Sequence, residues 1–372
     1  VHIDRIDIHP LLALLSPPYG DANGLKYYRA SLLVEATMSN GIIGFGEATG
    51  RLPALVPEAT QRYPRVIGMD ARNIRNVLKQ LGDVSPRVRC GLEIALWDAL
   101  GKLTELPLYQ LLGGSVRTRL TAYASLQNIP HSTTAHLVTH ALQAGYRKLK
   151  MKIGASSVET DIATIQTVRA MLPKGVQLAV DANEAYHYPA ALRVARAIEH
   201  LPDMMWLEEP MPISQTDDYA ALRSKVDIPL AGGENVRSAA DFSTLITAKS
   251  LDIATPDLLH IGGILEMNSL ISIAQARGIR ASPHTFDGAI ARWAAIHLFA
   301  GMQPSGKGCN DEVFEPIEWD IMPNPFTSDI VETSHQIIDG MILLSDQPGL
   351  GLSVNRDALR QWRWTGESFP SR

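Results

Sequence analysis

KLKMK (148–152), LAVDAN (178–183), MWLEEP (205–210), IPLAGGEN (228–235), DIATPD (252–257) and RASPH (280–284) are six short apolar runs, each carrying a polar or charged residue at its end. The landmark residues Lys152, Asp181, Glu208, Glu234, Asp257 and His284 follow one another at intervals of 23 to 29 positions. That interval is the length of one strand plus one helix, repeated. Parallel strands joined by helical crossovers place all their C-terminal ends on one face. If the sheet closes into a barrel, every landmark side chain reaches one mouth, and polar residues at that end read as an active site.

The chain changes character on either side of this region. Residues 1 to about 55 read as strands and turns, with Ser39-Asn40-Gly41 as the turn of a hairpin. From about 67 to 113 the spacing is helical, and Pro107 restarts the chain before a second short helix. The alternation of strands and helices begins at Thr118 and runs to about Trp319, where MPNPF breaks it. The organisation expected is an α/β protein. An N-terminal α+β capping domain spans 1–115, a modified TIM barrel of (β/α)7β form spans 116–328, and a tail at 329–372 packs back on the cap. Gly44, Gly46 and Gly50 have G-x-G-x-x-x-G spacing, but no βαβ unit surrounds them, so they read as a strand end or turn rather than a dinucleotide site.

Bulk properties narrow the function. A chain of 372 residues with 45% hydrophobic content can bury a large core. The net charge of −5 is mild and no basic stripe exists, which argues against nucleic-acid binding. Cys90 and Cys309 are the only cysteines and suggest no disulfide framework, so a reducing cytoplasm is the expected setting. The first residues lack a signal-peptide pattern and no apolar run reaches membrane-spanning length, so no membrane association is expected.

Asp181, Glu208 and Glu234 are three carboxylates at corresponding places in consecutive units. Hard oxygen ligands at that density repel one another unless a cation lies between them, and Mg²⁺ suits carboxylate-and-water sites. Any one of them alone would read as a helix N-cap. Lys150 and Lys152 share a strand face, with Leu149, Met151 and Ile153 on the other, so the strand is buried on both sides. Two ammonium groups on one face raise the cost of each other's charge, which is expected to lower their pKa toward that of a general base. Asp257 stands one unit before His284 and is expected to orient its imidazole. The site then has a metal and a base on each side, with no evident nucleophile. That set suits removal of the proton next to a carboxylate, the metal neutralising the ene-diolate, a pattern for which the enolase superfamily is the known example.

With GLEIALWDALGKLTELPLYQLLGG, GYRKLKMKIG, AVDANEAY, WLEEP, GGEN and TPDLLHIGGI followed by SPHTF in this order, the chain resembles the enolase superfamily, and within it the mandelate racemase subgroup. The muconate-lactonising subgroup has a lysine where TPD stands. The resemblance implies that Lys152 is the base on one face, tuned by Lys150, and that His284 with Asp257 acts on the other. It implies that Asn183 contacts a substrate oxygen, and that a glutamate at the end of the eighth strand meets the substrate carboxylate. FEPIEWDIMPNPF offers Glu315 and Glu318 for that role, with Glu312 just upstream; WDIMPNPF favours Glu318. A homo-oligomer, between dimer and octamer, is the expected assembly.

Substrate choice is expected to rest on a mobile loop, LSPPYGDANGLKY (15–27), covering the site, with Pro17, Pro18, Gly20 and Gly24 marking it. Its Tyr19 and Lys26, beside Asp21 and Asn23, suit a hydroxylated substrate. The first functional reading is an acid-sugar dehydratase forming a 2-keto-3-deoxy acid, with His284 protonating the departing hydroxyl. The second is a racemase or epimerase of a 2-hydroxy acid using Lys152 and His284 as opposed bases. A non-catalytic ligand-binding barrel would not require this residue set.

Overall fold

The computed structural model describes residues 1–303, 315–366 and 368–369; Cys309 and Glu312 lie outside the described residues. Three antiparallel strands open the chain, β1 (Ile3–Asp21), β2 (Gly24–Met38) and β3 (Ile43–Thr49), paired in that order. Helices Leu52–Arg62, Ile74–Leu81 and Pro86–Thr104 complete the cap. Helix therefore begins before position 67. Pro53 sits in its first turn, where an N–H has no helical partner to lose.

Alternation along β2 decides what the sheet covers. Leu32 and Val34 join the cap's own core with Leu52, Leu78 and Leu92, whereas Leu33 faces the other way and joins the barrel-side core with Phe45 and Ile94. Gly44 and Gly46 let the long helix lie directly on β3. A Cβ at Gly44 would stand 2.0 Å from the Ala95 carbonyl oxygen, and one at Gly46 would stand 1.8 Å from that of Gly91. The glycine pattern is thus a packing device inside β3, where a strand end or turn was expected.

The barrel is built from parallel strands β4 (Arg119–Leu126), β5 (Lys148–Lys152), β6 (Gln177–Asp181), β7 (Met204–Glu208), β8 (Leu230–Gly232), β9 (Ile253–Ala254), β10 (Arg280–Ala281) and β11 (Ile317–Asp320). Helical crossovers separate them, and β11 returns to pair with β4 in parallel. Ser282 Oγ donates to the Pro316 carbonyl at 2.6 Å, and Thr285 Oγ1 donates to the Glu318 carbonyl at 2.6 Å, tying β10 to β11. Ala179 and Trp206 lie two residues before Asp181 and Glu208, so they point the same way one layer deeper. With Tyr123, Ala231 and Ile253 they form an apolar cluster of their own.

The tail adds strands to two places. β12 (Val331–Thr333) pairs with β15 (Leu352–Val354), while β13 (Gln336–Ile338) and β14 (Met341–Leu343) form a hairpin that extends the barrel sheet at β4. Its last helix, Arg356–Gln361, reaches the cap. Leu12 N–H donates to the Trp362 carbonyl at 2.9 Å, and Arg356 Nη2 donates to Glu35 Oε1 at 2.8 Å. Among the described residues no helix is long and apolar enough to cross a membrane.

One buried histidine makes stability pH-dependent. His297, on the helix Ala289–Ala300, accepts through Nδ1 from the Tyr109 N–H at 3.2 Å, and burial, with His335 beside it, pushes its pKa down to about 3. The unfolded chain binds this proton near the ordinary value of about 6.5, so stability is full above that pH and falls as pH drops toward 3. We expect a loss on the order of a few kcal/mol across that window. Denaturant titrations at several pH values should show it, with a shallower slope in His297→Gln; an equal slope would discount this residue.

Candidate active site

In-register pairing sets Lys152 beside Asp181 and Asp181 beside Glu208 at the ends of β5, β6 and β7. Glu234 lies just beyond β8 on the same face. Each of Asp181, Glu208 and Glu234 offers a carboxylate oxygen within 4.8 Å of the others, and all three are buried. Glu208 Oε1 and Glu234 Oε2 have no hydrogen-bond partner, and Trp206 Nε1 donates to the other Glu208 oxygen at 3.0 Å. Buried, unpartnered oxygens converging at this spacing fit a hard divalent cation. Burial, with Asp181, Glu318 and Glu234 nearby, pushes the Glu208 carboxyl up to about 7 against the pull of Lys150.

Lys150 is fully buried and forms ion pairs with Glu208 at 3.0 Å, Glu318 at 3.1 Å and Asp181 at 3.2 Å, none with aligned hydrogen-bond geometry. Lys152 Nζ donates to Asp181 Oδ2 at 2.6 Å. Lys150 does pull Lys152 down, but the expected net lowering of the two lysines does not hold among the protein's own charges. Burial pulls both down, but Glu208, Glu318 and Asp181 around Lys150, and Asp181 beside Lys152, outweigh it and hold both lysines above their ordinary value. Carboxylates from three other strands decide the sign, and none of them is a sequence neighbour of the lysines.

His284 stands beyond β10. Its Nδ1 meets Asp257 Oδ2 at 2.8 Å, while its Nε2 faces Glu234 at 3.4 Å and Glu318 at 3.9 Å. Asp257 Oδ1 accepts from the N–H groups of Leu259 (2.7 Å) and His260 (2.9 Å), so the same carboxylate caps the short helix Leu258–Ile261. Against burial, His260 and His284 keep Asp257 at about 2, and Glu234, Glu318 and Asp257 hold His284 well above its ordinary value. Glu318 points into the barrel, where its Oε2 accepts from the Thr285 N–H at 3.1 Å. Glu315 stands before β11 and pairs with Arg280 at 3.0 Å, so it does not reach the mouth.

Over these groups lies a cavity of about 480 Å³ whose lining includes Lys152, Asn183, Glu234 and His284 below and Asn23, Lys26 and Arg29 above. Asn183 has an unpartnered Oδ1, and its N–H donates to Asp181 Oδ1 at 3.0 Å. Residues 15–27 cover the site, but not as the loop expected. They are the paired ends of β1 and β2 around a tight turn, with Asp21 opposite Gly24. Pro17 and Pro18 fall in the register shift between Leu14 and Tyr19, a bulge that needs no ladder N–H from them. Tyr19 is also corrected as a substrate contact. It is buried, donates from its hydroxyl to the Pro323 carbonyl at 3.2 Å and accepts from Arg29 Nε at 2.9 Å. Lys26 does line the cavity, paired with Asp21 at 2.7 Å.

Arg29 fastens the hairpin to the barrel. Its Nη2 donates to Asp320 Oδ2 at 2.5 Å, its Nη1 donates to the Phe286 carbonyl at 2.9 Å, and its guanidinium lies 3.7 Å from the Phe286 ring centre. Arg29→Met leaves Asp320 buried without its partner, so we expect a loss of about 3–5 kcal/mol. Adding Asp320→Asn should recover most of it in denaturant unfolding; a double variant no more stable than the single one would contradict this account.

The Enolase C-terminal domain-like family model matches residues 133–358, and the model of the mandelate racemase / muconate lactonizing enzyme N-terminal domain matches 22–113. The chain belongs to the mandelate racemase/muconate lactonizing enzyme family. It is an enzyme of the enolase superfamily, mandelate racemase subgroup. It is 32% identical to the D-galactarolactone cycloisomerase of Agrobacterium fabrum over 97% of this chain and 98% of that one. It is 29% identical to the arabinonate dehydratase of Saccharolobus solfataricus over 73% of this chain and 71% of that one. The crystal structure of the 3,6-anhydro-D-galactonate cycloisomerase from Zobellia galactanivorans superposes with a TM-score of 0.88 at 26% identity, covering 98% of this chain and 100% of that one.

Several neighbours of this mandelate racemase subgroup site were not singled out from sequence. Asn128, past the end of β4, accepts from the Lys152 N–H at 2.6 Å and donates to its carbonyl at 3.1 Å, fixing the backbone of the proposed base. Gln127 lines the cavity with an unpartnered Oε1. The first barrel unit ends in amides (SLQN) rather than charges, so a search for charged strand ends passes over it; its place one unit before KLKMK was the available signal. Glu209, beside Glu208, is fully buried; burial and then Glu234 hold its carboxyl well above the usual range, and it accepts from the Gly233 N–H at 3.2 Å. In sequence it is merely the second glutamate of EEP.

Proposed function

We propose that this enzyme removes the proton on the carbon next to the carboxylate of an acid sugar and eliminates water from the adjacent carbon, giving a 2-keto-3-deoxy acid. One observation carries this reading: Lys152 and His284 line the same cavity from β5 and from beyond β10, on either side of the three-carboxylate cluster. Mg²⁺ held by Asp181, Glu208 and Glu234 would supply positive charge to offset the charge that develops on the substrate carboxylate. Lys152 Nζ takes or returns a proton on one face. His284 Nε2 does so on the other, its tautomer set by Asp257 at Nδ1. Dehydration needs one of the pair neutral, as base, and the other charged, to protonate the departing hydroxyl. Lys150 and Glu318 flank the place of the substrate carboxylate, Asn183 offers its free amide oxygen to a substrate hydroxyl, and Lys26 borders the cavity above. The hairpin excludes water and so strengthens each of these charge interactions.

A base on each face also suits a racemase or epimerase of a 2-hydroxy acid, in which the same pair exchanges roles. The relatives named for a cycloisomerase and a dehydratase support acid sugars or their lactones as the substrate class. A screen of acid sugars with Mg²⁺, following 2-keto acid formation and solvent deuterium uptake in the same samples, tests the proposal. Keto acid with deuterium is expected; deuterium alone at the α-carbon with inversion would select the racemase, and neither signal across the panel would overturn both. We also propose a homo-oligomer in the cytoplasm, for which light scattering and fractionation are the direct measurements.

A further inference from the structure

The cavity is charged differently at its two ends. The base pair and the carboxylates lie at the floor, whereas at the rim the end of β3 and the start of the helix Pro86–Thr104 bring in the guanidinium groups of Arg51 and Arg87. Arg87 Nη1 donates to the Thr49 carbonyl at 3.1 Å, and its Nη2 meets His260 Nε2 at 2.5 Å. His260 Nδ1 in turn lies 2.7 Å from the Glu234 carbonyl. Neither contact of Arg87 is a carboxylate. Among the described residues neither Arg51 nor Arg87 pairs with a carboxylate, whereas the other cations at this rim are matched, Lys26 by Asp21 at 2.7 Å and Arg29 by Asp320 at 2.5 Å. The backbone is shaped around one of these charges. Gly50 has φ +135°, and a Cβ there would stand 2.4 Å from Arg87 Nη1.

A cavity that opens toward two uncompensated guanidiniums favours a ligand with negative charge at that end, and a guanidinium fork matches a carboxylate in two-point geometry. Resting on the acid-sugar reading above, we infer that Arg51, supported by Arg87, binds a second carboxylate at the far end of the substrate, making the substrate a sugar diacid rather than a monoacid. Such a molecule would lie along the cavity with one carboxylate at the floor and the other at the rim.

The test uses pairs that differ only in oxidation at the terminal carbon, galactarate against galactonate and glucarate against gluconate. Calorimetric affinity with Mg²⁺ and α-proton exchange in deuterium oxide are both measured. For at least one pair the diacid should bind about tenfold more tightly or better. Arg51→Gln should cut that ratio to about threefold or less, while Arg51→Lys, which keeps the charge, should hold most of it. Equal affinity within both pairs, a ratio untouched in Arg51→Gln, or no binding of either diacid overturns the inference. The two readings fail separately. A diacid preference without any α-proton exchange keeps this inference and removes the proposed chemistry, whereas exchange of the monoacids without diacid preference keeps the chemistry and removes the inference.

Discussion

Asp181→Asn, Glu208→Gln and Glu234→Gln should each lower turnover about a thousandfold or more, because the cation they are proposed to hold would offset several kcal/mol at the reacting centre and each 1.4 kcal/mol is about a factor of ten. The substitutions keep shape and remove one charge from a cluster whose oxygens lie within 4.8 Å of one another. Like charges at that spacing repel by about 3 kcal/mol per pair at the effective dielectric constant of a protein. The effects on stability without added metal should therefore differ in sign. Glu234, which among the described residues forms an ion pair with His284 alone, at 3.4 Å, should give a more stable amide variant. Asp181 is paired with both Lys150 and Lys152, so its amide leaves two buried ammonium groups short of a partner and should destabilise. Added Mg²⁺ should raise the melting temperature of the unsubstituted protein and do so less in all three variants. Turnover at the unsubstituted level in all three variants, with a chelator present, would remove the metal from the account.

Lys152→Ala and His284→Asn should each abolish turnover, by about a hundred- to ten-thousandfold, the usual contribution of a positioned acid or base. Their partial reactions should differ. Exchange of the α-proton with solvent needs only the residue on the proton's face, so one variant should keep exchanging substrate deuterium while the other does not. The variant that still exchanges keeps the base, so the residue substituted in it is the acid. Asn in place of His284 retains a polar group at Asp257 but cannot shuttle a proton. Full turnover in either variant would take that residue out of the mechanism, and exchange lost in both would point to a shared structural role.

The α/β barrel was legible because its chemistry is tied to a repeat. A strand and its crossover helix occupy a nearly constant length, and the right-handed crossover returns every strand in the same direction, so Lys152, Asp181, Glu208, Glu234, Asp257 and His284 came to one mouth from their spacing alone. Parity along a strand likewise placed Lys150 with Lys152 and turned Leu149, Met151 and Ile153 away; all are buried, as a strand enclosed on both faces requires. Pairings that depend on distant partners could not be read this way. Residues 15–27 looked like a loop because Pro and Gly are local signals, whereas the strands there exist through their register with each other and their clamp through Arg29 to Asp320 and Phe286, far along the chain. The same nonlocal packing turned Tyr19 inward. Charge followed the same division. The sequence shows two lysines that repel each other; the tertiary structure surrounds them with carboxylates from β6, β7 and β11, and so reverses the direction of their pKa shift. Local pattern determined which side chains share a face, and the closing of the barrel under its cap decided which charges they meet there, because electrostatic energy depends on distance through space and not on separation along the chain.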